Sequence, residues 1–225
     1  MNGQRQLVAL FAASLTVAIF AAPTEVLAAD PEDSVRNLYQ TLLLTMKDGR
    51  ILGESRRYAR IEPVIHRQFD IPLIARLAVG PSWAALSPDQ QQRVTTAFAS
   101  YIAATYADRF DSYSGQQLEV IGHQQSGSGV MVRTRIVKTN GETVGIEYLM
   151  RQNDGSWRIT DVYLDGSISQ LATQRSEFGA IMRRDGFEGL IAVLNRKVSL
   201  LTGSSVARLF SALCGVKPAR AFLDP

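Results

Sequence analysis

The chain has 225 residues, of which 24 are basic and 21 acidic, giving a formal net charge of +3. That mild excess is spread without any Lys/Arg run, which excludes the concentrated basic patch of a nucleic-acid binder. One cysteine, Cys214, excludes an intrachain disulfide, so the core must carry stability alone.

Residues 1–28 read as a secretory signal peptide: a single cation, Arg5, an apolar run from Leu7 to Ala22, and small residues up to Ala28. The run is interrupted by Ser14 and Thr16 and is shorter than the roughly 20 apolar residues of a membrane anchor. A soluble, exported chain is therefore expected, with one domain over 29–198. Asp30-Pro31-Glu32-Asp33 predicts a helix start, with Asp30 as cap and Val35, Leu38, Leu42 and Met46 as the apolar stripe. Pro63 and Pro72 are expected to cut the next stretch into short helical pieces. Ser87, Pro88 and Gln90 then form a capping box that opens a long helix with Val94, Phe98, Ile102, Tyr106 and Phe110 on one face.

After Tyr113-Ser114-Gly115 the apolar period changes from near four to two. Four strands are predicted, over 117–124, 129–138, 142–151 and 156–164. Asn140-Gly141 and Asp154-Gly155 suit tight hairpins, which predicts an antiparallel meander. The last strand is apolar on both parities, with Trp157, Ile159 and Tyr163 on one side and Val162 and Leu164 on the other, and so predicts cover on both faces. A helix over 167–184 and another built on Phe187, Leu190, Ile191 and Leu194 follow. The fold class is α+β: a four-stranded antiparallel meander sheet with N-terminal and C-terminal helices packed on one face. Residues 199–225 are expected to be a loosely attached tail.

Polar residues offer little chemistry. His66 and His123, the two histidines, lie in different regions and are expected at the surface, and there is no HExxH, CxxC, GxSxG or phosphate-loop motif. No metal, cofactor or catalytic set is expected. Arg175 lies on the apolar stripe of the helix that begins near Ser167, and a buried guanidinium needs a carboxylate. Asp161 is the expected partner in a structural ion pair; the alternative is a general base with a raised pKa. Asp165-Gly166 reads as a turn. The apolar rows of the strands and the aromatic helix face would close around either a packed core or a cavity, which periodicity alone does not separate.

The segments "FDIPLIARLAVGPSWAALSPDQQQRVTTAF", "YADRFDSYSGQQLEVIG", "VRTRIVKTNGETVGIEYLMRQNDGSWRITDVYLDGSISQLATQRSEF" and "RRDGFEGLIAVL" together resemble the MlaC family, also known as the toluene-tolerance auxiliary family, from about Asp33 to Leu194. Within it, "YADRFDSYSG" and "ISQLATQRSEF" are most similar to the hopanoid-associated HpnM branch. The resemblance implies a periplasmic carrier, not an enzyme. It would hold the apolar chains of a phospholipid or hopanoid in a pocket between sheet and helices. It would pass them, as a monomer, between an inner-membrane ABC transporter complex and an outer-membrane lipoprotein complex. The pocket walls expected on this reading are Phe69, Ile74, Leu77, Trp83, Phe98, Ile102, Tyr106, Phe110, Val132, Ile136, Ile146, Tyr148, Met150, Trp157, Ile159, Val162 and Leu164. Two rivals remain: a docking subunit of a membrane transport system that holds no lipid, and a lipid-modifying enzyme using Asp161.

Overall fold

The computed structural model describes residues 30–203. Helices α1 (Pro31–Lys47), α2 (Gly49–Gln68), α3 (Ile71–Val79) and α4 (Pro88–Arg109) come first, with a 3-10 turn, Gly80–Ala85, before α4. Strands β1 (Gln117–Ser126), β2 (Gly129–Val137), β3 (Thr143–Asn153) and β4 (Ser156–Leu164) follow, then a two-residue strand β5 (Ile168–Ser169) and helix α5 (Gln170–Leu201). Each strand pairs antiparallel with its sequence neighbour, so the sheet is a five-stranded meander where the sequence predicts four strands.

Local chemistry explains most boundaries. Asp30 accepts a hydrogen bond from the Glu32 amide at 2.9 Å, with Pro31 at the first helical position. Ser87 and Gln90 complete the capping box reciprocally, at 3.2 and 3.0 Å. Pro63 does not break its helix as expected; it sits inside α2. The carbonyl its ring leaves unpaired belongs to Ala59, an exposed residue, so water can reach it in place of the missing donor. The interruption of α2 falls instead at Gly53, whose φ of 68° and ψ of 173° are non-helical.

The missed fifth strand has the same cause as the hairpins that were anticipated. Asp154 and Gly155 turn β3 into β4 with φ of 48° and 73°, and Asp165 and Gly166, at 49° and 70°, fold the chain back again. Leu164 therefore pairs with Ile168, and the helix begins at Gln170 instead of Ser167. Ser169 is its cap, accepting from the Ala172 amide at 2.9 Å. Helix α5 continues to Leu201, interrupted at Gly186, so the predicted tail from residue 199 starts within it. Residues 204–225 of that tail and the predicted signal peptide lie outside the described residues.

Strand β4 is apolar on both parities for a reason other than cover on both faces. Leu149 pairs with Asp161 but Met150 pairs with Ile159, which leaves Thr160 as the extra residue of a bulge. The bulge reverses the side-chain alternation, so Ile159 before it and Val162 and Leu164 after it turn to one face. That face also carries Val132, Ile136, Ile146, Tyr148 and Met150, buried beneath the helices, while Arg133 and Arg135 on the other are exposed. Phe69 forms a bridge to Ile159, and the Asp70 amide donates to the Ile159 carbonyl at 2.9 Å, fastening the α2–α3 corner to the sheet.

Candidate functional site

An open cavity of about 890 Å³, measured out through its mouth, lies between the buried sheet face, α4 and the first turns of α5. Helix α4 contributes Tyr101, Ile102, Thr105, Tyr106 and Arg109, which recur at spacings of three and four and so share one side of the helix; Phe110 follows at its end. The sheet supplies Ile136, Ile146, Tyr148, Thr160, Asp161, Val162 and Leu164, the α2–α3 corner Phe69 and Ile74, and α5 supplies Gln170, Leu171 and Gln174. Such a lining, mostly apolar with a few polar groups, is the kind that ligand cavities have.

Of the expected wall residues, Phe69, Ile74, Ile102, Tyr106, Phe110, Ile136, Ile146, Tyr148, Val162 and Leu164 meet at this cavity. The other seven do not line it. Phe98, Val132, Met150 and Ile159 are fully buried core, with Phe98 edge-on to Phe178 at a ring separation of 5.2 Å. Leu77, Trp83 and Trp157 are half-buried outside it. The lining also includes Tyr101, Thr105, Arg109, Thr160, Gln170, Leu171 and Gln174, which the sequence does not single out, and Asp161, which the sequence singles out as an ion-pair partner or base and not as a wall residue. A search for apolar runs passes over the polar members, although the four-residue spacing of Tyr101, Thr105 and Arg109 carries a signal.

Aromatic rings form one end of the cavity. Tyr106 stacks on Phe110 at 5.7 Å and stands edge-on to Phe69 at 5.6 Å. Behind them a chain of hydroxyls has a fixed direction. Thr134 donates to the Ile146 carbonyl at 2.6 Å, so Tyr39 must be the donor in its 2.6 Å bond to Thr134, and Tyr148 donates in turn to Tyr39 at 3.4 Å. Burial pushes the Tyr39 phenol up to about 12 and raises Tyr106 and Tyr148 as well, so all three stay neutral at ordinary pH.

The expected ion pair between Asp161 and Arg175 is not formed. Asp161 Oδ1 accepts from the amides of Val162 at 2.7 Å and Leu171 at 2.9 Å, and Oδ2 accepts from Ser169 Oγ at 2.6 Å. The carboxylate thus meets the positive end of α5, which replaces the guanidinium as its counter-charge. Arg175 is exposed, with its Nε 3.8 Å from where a Cβ on Gly80 would lie. Helix α3 has ended at that level and the facing residue has no side chain, so Arg175 has a route to solvent. Gln174, one position earlier, is the residue of that turn that faces the cavity.

Both histidines are exposed. His123 Nδ1 lies 2.7 Å from Glu32 Oε1, and Asp30 joins them in a cluster spanning 4.8 Å. Arg36 already balances these acids, bonding to Glu32 and Asp33 and lying 3.7 Å from Asp30. No helix among the described residues is long and apolar enough to cross a membrane.

The sequence profile described as "MlaC protein" matches residues 36–196. The chain belongs to the MlaC family. Among solved structures, this MlaC chain is similar to the phospholipid-binding protein from Ralstonia solanacearum, determined in complex with a phospholipid. The two are 23% identical, with a TM-score of 0.67 over 77% of this chain and 99% of that one. At that identity the likeness establishes a common fold.

Proposed function

We propose that this MlaC chain is a periplasmic lipid carrier, holding the apolar chains of a phospholipid or hopanoid in the cavity between β4, α4 and α5. The observation that carries the reading is the lining of the cavity: a concave space between sheet and helices, open at its mouth and walled largely by apolar and aromatic side chains. Each methylene moved from water into such a space gains roughly 0.8 kcal/mol. A carrier needs that depth more than it needs reactive groups. The fold shared with a protein solved in complex with a phospholipid supports the choice of ligand class. Asp161, the candidate base of the enzymatic alternative, already accepts three hydrogen bonds from the protein. The donor and acceptor of the lipid are the inner-membrane ABC transporter complex and the outer-membrane lipoprotein complex implied by family membership, with the chain acting as a monomer. The HpnM-like segments make hopanoids the cargo to test beside phospholipids.

Native mass spectrometry of the exported, gently purified protein, followed by extraction and identification of what it carries, tests the proposal. One phospholipid or hopanoid per chain is expected. A bare protein mass, under conditions in which a known lipid carrier keeps its ligand, would favour the docking subunit instead.

A further inference from the structure

The α4 wall of the cavity has a buried part and a solvent margin. Ile102 and Phe110 are buried, whereas Tyr101, Thr105 and Arg109, which follow one another at intervals of one turn, are half-buried. An amphiphile divides in the same way, with its apolar chains wanting the depth and its polar end wanting the margin.

Among the described residues that line the cavity, two carry charge, Asp161 and Arg109. Asp161 is buried, and its oxygens accept from the amides of Val162 and Leu171 and from Ser169 Oγ, so its charge is met inside the wall. Arg109 differs on both counts: it is cationic, and it stands at the margin, in the last turn of α4. Burial raises the Tyr106 phenol, and the Arg109 charge opposes that rise, so the field of the guanidinium reaches a ring that faces the cavity. A planar guanidinium matches a phosphate or carboxylate with two parallel hydrogen bonds, and it offers nothing comparable to an uncharged sterol-like hydrocarbon.

We propose that Arg109 holds the anionic end of the bound lipid, taking two oxygens of that group at the cavity margin while the apolar chains lie deeper, along Ile102 and Phe110. The inference rests on the reading of the cavity as a lipid site. The shared chemistry is a two-oxygen anion, and it has two sources, the phosphodiester of a phospholipid and the carboxylate of a fatty acid.

The test is competitive loading of the full exported chain from detergent micelles, read by native mass spectrometry. One pair of probes is phosphatidylglycerol against diacylglycerol with identical acyl chains. A long-chain fatty acid against the alcohol of the same length forms the second pair. Native protein and variants load from the same micelles, so unequal release of the two lipids cancels, and the ratio of anionic to neutral lipid is read whatever the total uptake. Arg109→Gln should lower that ratio roughly fivefold in at least one pair, and the pair that responds identifies the source. Arg109→Lys keeps the charge and should keep most of the ratio. In the native protein the ratio should also fall as salt is raised from about 0.05 to about 0.5 M, which tests the contact even where a variant does not fold. A ratio unchanged in Arg109→Gln, or insensitive to salt in the native protein, would overturn the inference and leave the lipid site standing. A lowered unfolding midpoint at an unchanged ratio would overturn it too, and would make Arg109 a partner of the α4 dipole alone. Failure of the native protein to take up any of the four lipids would overturn both.

Discussion

Ser169 Oγ donates to Asp161 Oδ2 at 2.6 Å, and through this bond strand β4 holds the first turn of α5 in place. The same hydroxyl accepts from the Ala172 amide, so Ser169 caps its helix while Asp161 secures the cap from outside. Two backbone amides, those of Val162 and Leu171, complete the clasp on Asp161 Oδ1. Because Asp161, Leu171 and Gln174 all line the cavity, the clasp sets the position of one of its walls.

Removing the carboxylate leaves three part-buried donors without their acceptor. Asp161→Ala is expected to cost about 2–4 kcal/mol in urea unfolding, and Ser169→Ala about 1 kcal/mol. The double variant should fall short of the sum by more than about 0.5 kcal/mol, since the two residues share one network. Arg175→Ala, at an exposed site, should stay within about 0.5 kcal/mol of the native protein. A loss from Arg175→Ala comparable to that from Asp161→Ala would restore the ion pair that the sequence suggests.

Features carried by a few adjacent residues were legible in the sequence. The caps at Asp30 and Ser87 and the hairpins at Asn140-Gly141 and Asp154-Gly155 depend on local backbone chemistry, and they set the order of α1, α4 and β1 to β4. Long-range pairing was not legible. The bulge at Thr160 exists only in the register between β3 and β4, so the sequence shows apolar residues on both parities without showing that they share a face. Asp161 offers a carboxylate that needs partners, but helix amides leave no sequence signature, and a nearby arginine is the more visible choice. Half of the cavity was visible as apolar periodicity. Its polar wall, from Thr105 to Gln174, was not, because polar residues at helical spacing read equally well as a solvated face.

The buried phenols predict an alkaline limit. Tyr39 titrates near 10 in an unfolded chain and is pushed up to about 12 in the fold, so the folded state holds its proton where the unfolded state has lost it. Its contribution is complete below pH 10 and is lost as pH rises through about 12. Unfolding free energy should therefore fall over that window, and Tyr39→Phe should make the fall shallower. An unchanged slope in the variant would contradict the assignment.

Gly186 breaks α5 with φ of 68° and ψ of −167°, a region that residues with a Cβ avoid. A Cβ there would meet nothing within 4 Å, so the cost of substitution is purely conformational. Both Gly186→Ala and Gly186→Asn should destabilise by about 1–3 kcal/mol in urea unfolding. Asparagine should give no rescue, because this is not the left-handed helical region it tolerates.

Phe98 separates core from cavity. It is fully buried and packs on Phe178 without lining the cavity, so Phe98→Ala should cost about 3–5 kcal/mol yet leave the lipid carried per folded chain unchanged. Parallel thermal unfolding and lipid extraction would check this; loss of lipid at full folding would extend the site beyond its present walls.

The claim that this cavity is where lipid resides is tested most directly by filling it. Thr105 lines the cavity from α4 and is half-buried, so an indole placed there has the cavity to enter. Lipid-to-protein stoichiometry of purified Thr105→Trp should fall from one per chain to near zero, with an unfolding midpoint close to that of the native protein. A folded Thr105→Trp protein that still carries one lipid per chain would contradict the account.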